Sequence, residues 1–140
     1  MSYTRIEDTT LYGKSCEIAN TIYWVAKGWE RFDRDSLGLQ LLRSVDSIGA
    51  NLVEGDSRSS ATDALRFFGY AIGSSREAQH WIRQACARKL IDDEVGAEWN
   101  DQMDQVSRML SGLIGYRRRQ KSNVVCESQA VYDASDQDWL

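Results

Sequence analysis

The sequence contains no proline among its 140 residues. Proline ends helices and marks loops and strand edges, so its absence favours long helices joined by short turns. No apolar run approaches the roughly 20 residues that a membrane-spanning helix needs. Residues 1–8 also lack the apolar segment of a signal peptide. We therefore expect a helical, cytoplasmic protein without a membrane partner.

Residues that carry chemistry are scarce as well. Cys16, Cys86 and Cys126 are widely spaced and show no metal-ligand pattern, which is typical of reduced thiols. Glu77 and His80 match the Glu-x-x-His element of di-iron bundles, but such a site needs a second copy of that element and two further glutamates. His80 is the only histidine in the chain. We therefore expect no metal and no cofactor.

Patterns of catalysis are also missing. The sequence has no glycine-rich phosphate loop, no nucleophile elbow and no cysteine-histidine pair at catalytic spacing. Arg76 and His80 resemble the arginine-histidine pair of certain bundle ribonucleases, but fewer residues intervene here than in those enzymes. The prediction is a protein that is not an enzyme and has no small-molecule substrate.

Charge is distributed unevenly along the chain. Residues 1–121 hold all 17 lysines and arginines and 17 of the 21 acidic residues, whereas residues 122–140 hold the other four acids and no cation. The length suits one domain with a sizeable core. We therefore predict a folded, nearly neutral body over residues 1–121 and an acidic, disordered tail over residues 122–140.

Four stretches repeat their apolar residues with helical periodicity. They are separated by short polar segments, and residues 30–36 and 56–60 are predicted to be connections. Sequential helices joined by short turns pack as antiparallel neighbours. The fold class that follows is all-α: an antiparallel up-down four-helix bundle with a disordered C-terminal tail. The predicted helices span residues 11–28, 37–55, 60–89 and 92–121.

Small and polar residues mark one side of the second and third predicted helices. Spacings of three and four residues place each set on one helix face, and the two sets are expected to meet in a polar seam. The seam is either a structural network that fixes helix register or a pair of catalytic carboxylates, and buried, satisfied carboxylates are often purely structural. The predicted seam comprises Ser47, Asn51, Glu54, Arg58, Ser74 and Glu77.

A cluster of cations follows Tyr116 near the end of the fourth predicted helix. Clustered, flexible cations suit contacts to phosphates, and an aromatic ring stacks on bases. The alternative is that cations here simply complement the negative end of the helix dipole. Two arginines of the third helix, seven residues apart, share a face and extend the basic surface. The predicted nucleic-acid contacts are Arg117, Arg118, Arg119, Lys121, Arg76 and Arg83.

The second and third predicted helices carry a recognisable motif. Residues 47–55 read Ser-Ile-Gly-Ala-Asn-Leu-Val-Glu-Gly and are followed by Arg58; residues 66–68 read Arg-Phe-Phe, and residues 71–74 read Ala-Ile-Gly-Ser before Glu77. Over residues 10–118 the chain resembles the bacterial 23S rRNA intervening-sequence proteins. That family usually has proline where Gly49 stands.

The resemblance implies an up-down four-helix bundle that assembles as a homopentamer and has no known catalytic activity. A related branch, the accessory variability proteins of diversity-generating retroelements, binds a reverse transcriptase and is basic enough to bind nucleic acid. The expected partners are therefore other copies of the chain together with structured RNA or a reverse transcriptase.

We accordingly predict a non-catalytic, homo-oligomeric accessory bundle that binds RNA, a reverse transcriptase or both. The alternative is a pure protein-protein interaction scaffold without nucleic-acid binding. Such a scaffold would recruit its partner through an exposed aromatic residue, for which Trp24, Trp29 and Trp99 are the candidates.

Overall fold

The computed structural model describes residues 3–126 and 138–140, and within them it contains helices and no strand. None of the described helices is long and apolar enough to cross a membrane. The predicted all-α class is confirmed. The elements are a 3₁₀ turn at Ile6–Asp8, α1 at Thr10–Lys27, α2 made of Arg31–Asp33, the π-helical Arg34–Gly38 and Leu39–Asp56, α3 at Ala61–Ala87 and α4 at Asp93–Cys126.

The start of α2 differs from the prediction, because residues 30–36 were expected to be a polar connection and most of them are helical. Polar composition alone does not stop a helix when neighbours one turn apart satisfy each other. Arg31 Nε lies 3.5 Å from Asp35 Oδ2, and the Ser36 hydroxyl donates to the Phe32 carbonyl at 2.6 Å. The helix therefore begins six residues earlier than its first predicted residue, Leu37.

The N-termini of the other helices are capped by side chains. Thr9 Oγ1 accepts from the Tyr12 amide at 3.2 Å, and Asp92 Oδ1 accepts from the Val95 amide at 2.9 Å. Ser60 Oγ accepts from the amide three residues later at 3.3 Å, which confirms the start predicted for the third helix. Each cap satisfies one of the amide groups that a helix leaves without an internal partner.

α3 ends in a left-handed residue. Lys89 has φ 59°, and its amide donates to the Cys86 carbonyl at 3.0 Å while the Leu90 amide donates to the Ala85 carbonyl at 2.9 Å. This pair of bonds is the Schellman motif, which usually has glycine at the left-handed position. The motif reverses the chain within five residues and sets α4 antiparallel to α3.

The four helices form a square. α1 packs against α2 and α4, and α3 packs against the same two helices; among the described residues the backbones of α1 and α3, and those of α2 and α4, do not come into contact. This is the predicted up-down arrangement. Completely buried side chains from all four helices fill the centre: Leu11, Ile18, Ile22, Leu41, Ile48, Leu52, Phe68, Ile82, Met103 and Leu110.

The chain end returns to the bundle. α4 continues to Cys126, five residues beyond its predicted end, and most of the predicted tail, residues 127–137, lies outside the described residues. The Trp139 carbonyl accepts from the Leu11 amide at 3.1 Å, and the Trp139 ring lies 5.5 Å from the Tyr116 ring. Trp139 is only 5% exposed. It covers the first turn of α1, whose amides lack helical partners.

One glycine is required by close packing between α2 and α3. A Cβ atom at Gly55 would stand 2.7 Å from Cε1 of the buried Phe68, whereas a Cβ at Gly13 on α1 would meet no atom within 4 Å. We expect Gly55→Ala to lower the free energy of unfolding by about 1–3 kcal/mol through overpacking. Gly13→Ala should raise it by up to about 1 kcal/mol through helix propensity. Urea denaturation measures both, and shifts of the same sign would contradict this packing.

Candidate nucleic-acid interface

The last turns of α4 lie beside the first turn of α3. Lys121 Nζ is 2.9 Å from Thr62 Oγ1, and Arg66 follows Thr62 by one helical turn. Arg118 precedes Lys121 by one turn and is exposed, as are Arg66 and Lys121. The fold thus joins cations that lie more than 50 residues apart in sequence. We call Arg66, Arg118 and Lys121 the basic corner; Arg119 is also exposed.

Arg117, a predicted nucleic-acid contact, belongs to the interior of this end of the bundle. Its Nη2 atom is 2.9 Å from Asp56 Oδ1, and the two side chains are 27% and 9% exposed. Its guanidinium carbon also lies 5.5 Å from the centroid of the Phe68 ring. The Arg117 guanidinium thus contacts both the Asp56 carboxylate and the Phe68 ring, and it links α4 to the end of α2. The exposed cluster of cations is therefore smaller than predicted by one residue.

Asp56 is the acceptor around which this end is organised. Its second oxygen, Oδ2, accepts from the Ile6 amide at 3.1 Å. Desolvation raises the pKa of the Tyr3 hydroxyl, and a hydrogen bond to Asp56 raises it further. Asp56 therefore joins the N-terminal segment, α2 and α4. Its position in a polar stretch after Gly55 offered no sign of this role, since the sequence there is typical of a loop.

The other two predicted cations on α3, Arg76 and Arg83, are exposed. At 1.5 Å of rise per residue they lie about 15 and 26 Å from Arg66 along the helix axis. They do not belong to the basic corner. They continue from it as a row along the solvent side of α3.

Of the predicted polar seam, the structure brings only two residues together across helices. Ser47 Oγ donates to Ser74 Oγ at 2.5 Å, which joins α2 to α3. Asn51 donates its amide to the Ser47 carbonyl at 2.8 Å, within its own helix. Glu54 pairs with Arg58, one turn later. The seam is therefore a serine pair flanked by local contacts.

Glu77, the remaining seam residue, also bonds within its own helix. Its Oε1 accepts from Trp81 Nε1 at 3.2 Å, and the His80 ring packs edge-on against Trp81 at 4.7 Å. The pair of carboxylates needed for the catalytic alternative does not meet, because Glu54 and Glu77 have separate local partners. In the part of the chain that the structure describes, no group of three or more metal-ligand side chains converges.

Sequence reasoning missed a second pair of serines. Ser75, on α3, is completely buried, and its hydroxyl shares a hydrogen bond with that of Ser107, on α4, at 2.9 Å. Nearby, Gln79 Nε2 donates to Asp104 Oδ1 at 2.7 Å. A serine on the apolar face of a helix looks like any small core residue, so these bonds could not be predicted from the sequence.

A separate aromatic patch lies at the opposite end of the bundle, where α1 meets α2. Trp24 is 67% exposed and Phe32 is 83% exposed. Tyr23 packs edge-on against Trp24 with ring centroids 5.2 Å apart, and Lys27 Nζ lies 5.1 Å from the Trp24 ring. We call the exposed rings at this end of the bundle, Tyr23 and Trp24 of α1 and Phe32 of α2, the aromatic patch.

The three tryptophans considered for protein recruitment differ in their surroundings. Trp24 is exposed, as required, and Trp29 is half-buried against the core. The expectation of an exposed Trp99 is wrong, because that ring is only 2% exposed. Its place on the same stripe as Met103 puts it in the bundle interior.

The fold and its surfaces define a class of protein: a small antiparallel four-helix bundle with exposed cations at one end and exposed aromatic side chains at the other. Residues 7–112, most of the chain, match the family model described as 23S rRNA-intervening sequence protein. The chain belongs to this family, as the sequence resemblance indicated.

A solved structure shows the same fold. It is a crystal structure from Bacteroides thetaiotaomicron of a protein described as of unknown function from the S23 ribosomal protein family. The likeness has a TM-score of 0.67 and 24% sequence identity, and it covers 75% of this chain and 98% of that one. At this identity the likeness shows the fold alone. The comparison with curated proteins gave no match.

The different surroundings of neighbouring arginines generate a prediction. We expect Arg117→Gln to lower the free energy of unfolding by about 2 kcal/mol, between the values for exposed and buried ion pairs, because Asp56 loses its charged partner. The matched variant Arg118→Gln changes an exposed side chain and should leave stability within about 0.5 kcal/mol of the parent. Urea denaturation measures both; equal effects would show that Arg117 has no special structural role.

Proposed function

We propose that this chain is a non-catalytic, cytoplasmic, self-associating bundle that binds RNA through the basic corner. The observation that carries the proposal is the contact between Lys121 and Thr62, since it adds the cations of α4 to Arg66 of α3. A surface made from two helices presents cations in a fixed relative arrangement. Such an arrangement suits the regularly spaced phosphates of a nucleic acid.

The ion pairs at this corner do not neutralise it. Arg66 Nη2 lies 3.4 Å from Asp63 Oδ1, but the two side chains are 56% and 46% exposed. An exposed pair of this kind contributes at most about 1 kcal/mol and is screened by salt. A phosphate oxygen therefore competes readily for the Arg66 guanidinium, and its approach costs little desolvation.

Self-association and the identity of the partner rest on the family. What the family resemblance implies supports a homopentamer as the assembled form. The related accessory variability proteins support a reverse transcriptase as a protein partner, alone or together with RNA. A ring of identical subunits would multiply the basic corner, so that several weak phosphate contacts combine into one tight interaction.

The proposal predicts strong salt dependence of RNA binding. We expect the double variant Arg118→Glu/Lys121→Glu to bind a labelled structured RNA at least tenfold more weakly than the parent at low salt. The slope of log affinity against log salt concentration should become shallower by about 2, because two phosphate contacts are lost. Fluorescence anisotropy at two or more salt concentrations measures both quantities.

The matched control reverses two charges at the other end of the bundle. Arg31 and Arg34 have side chains that are 87% and 45% exposed, and Arg31→Glu/Arg34→Glu changes net charge by the same amount. RNA affinity that falls equally in both variants would mean that overall charge, and not the basic corner, drives binding. Light scattering should give the same assembly mass for all three proteins.

A second candidate function is that of a protein-interaction scaffold, and the aromatic patch favours it. Exposed tryptophan and phenylalanine are unusual on a free surface and common at the centre of protein interfaces. Trp24 and Phe32 are the most exposed large apolar side chains of the described residues. Absence of RNA binding by the parent protein even at low salt would favour this function over the first.

A further inference from the structure

The solvent side of α3 contains two glycines that the fold itself does not need. Gly69 and Gly73 are exposed, and a Cβ atom at either would meet no atom within 4 Å. A glycine in a helix interior costs about 1 kcal/mol relative to alanine. Unlike Gly55, these two make no room for another side chain of the same chain. They leave bare backbone in the middle of a solvent-facing surface.

Cations lie on both sides of this bare segment. Successive steps of four and three residues place the members on one helix face; the exposed Glu77, four residues after Gly73, borders the same face. We call this face the α3 stripe. It consists of Thr62, Arg66, Gly69, Gly73, Arg76, His80 and Arg83.

An aromatic ring stands at the edge of the stripe. Tyr70 is 52% exposed, and its ring is held edge-on against Phe67 with centroids 5.7 Å apart. Phe67 is held in turn by the Arg58 guanidinium, 4.7 Å from the ring centroid. Tyr70 therefore has a fixed position and a large accessible surface, which are the properties of a platform for base stacking.

The acidic groups around the stripe already have partners. Asp63 pairs with Arg66, Glu77 accepts from Trp81, and Asp104 of α4 accepts from Gln79. Lys121 adds a cation from α4 at the Thr62 end. The donors to Glu77 and Asp104 are neutral, so the positive charge of the stripe comes from Arg66, Arg76 and Arg83, with Lys121 at one end.

We propose that the α3 stripe binds a single-stranded segment of RNA, with the sugar-phosphate chain crossing Gly69 and Gly73. Phosphates contact Arg66, Arg76 and Arg83, and an unpaired base stacks on Tyr70. The track from Thr62 to Arg83 is about 32 Å long at 1.5 Å per residue. The proposal rests on the RNA-binding function above and adds where the strand runs and which form of RNA is preferred.

Charge disfavours a two-fold contact between copies of the chain at this face; a ring contact, in which the stripe meets a different face of the neighbouring copy, is an outcome of the test below. In a two-fold symmetric contact the same surface meets itself, so arginines of one stripe would face arginines of the other. Like charges held together in an interface are unfavourable. Glycines serve where a backbone must approach a ligand closely, and a phosphodiester chain is the ligand that matches the flanking cations.

The test adds bulk to the stripe without changing its charge. In Gly73→Gln an uncharged side chain covers the bare backbone, and we expect affinity for a labelled single-stranded oligoribonucleotide to fall at least tenfold. Gly13→Gln is the matched control, since Gly13 is also an exposed helical glycine with open space around it and lies on α1, diagonally opposite α3. Both variants should be at least as stable as the parent, because glutamine is the better helix former.

A second variant tests stacking. Tyr70→Ala should weaken single-strand binding about tenfold, by the energy of one base–aromatic stack, whereas Tyr23→Ala in the aromatic patch should leave it unchanged. Anisotropy gives the affinities and light scattering gives the assembly mass. An unchanged affinity in Gly73→Gln would overturn the proposal, and so would a loss of assembly in that variant, which would identify the stripe as a contact between copies.

The outcomes also separate this proposal from the function on which it rests. RNA binding that is weakened by Arg118→Glu/Lys121→Glu but not by Gly73→Gln would support RNA contact at the basic corner and contradict the proposed path along the α3 stripe. Absence of binding in the parent protein would contradict both proposals. Weakening in both variants, with both controls normal, is the result that the proposal predicts.

Discussion

The ion pair between Asp56 and Arg117 is the contact on which the arrangement of this surface depends. It fixes the end of α2 against α4, and the same carboxylate holds the amide of Ile6. Successive residues on a helix are turned by about 100° from one another. Because Arg117 points inward, Lys121 lies on the side of α4 that adjoins α3, and Arg118 is exposed. One part-buried contact thus removes one of the four cations from the exposed surface.

Helical periodicity predicted the fold well because the burial of an apolar stripe is a local property that repeats in each helix. Each helix buries a stripe of apolar residues, and the spacing of that stripe is visible in the sequence from Leu11 to Leu113. The polar stretch at residues 30–36 was mistaken for a connection, since contacts one turn apart stabilise it as helix without an apolar stripe. Capping by Ser60 was predictable because the cap and its amide are three residues apart.

The surface was harder to predict, because its members are distant in sequence. A run of arginines shows how many cations are present but not which one pairs with a carboxylate 61 residues away. The polar seam was predicted only in part, for a different reason: Ser47 and Ser74 meet, but Asn51 and Glu77 each bond to a residue one turn away in their own helix. The role of the glycines of the α3 stripe can be inferred only from the structure, because the sequence does not show that the space around them is open.

The account places RNA on one side of the bundle, away from the aromatic patch. The direct measurement is ultraviolet cross-linking of the full-length protein to a photoreactive, single-stranded RNA, followed by mass spectrometry of the linked peptides. We expect cross-links within α3 between residues 62 and 83, with Tyr70 foremost, and in the last turns of α4. Cross-links concentrated at Trp24 and Phe32, or spread evenly over the chain, would contradict RNA binding at this surface.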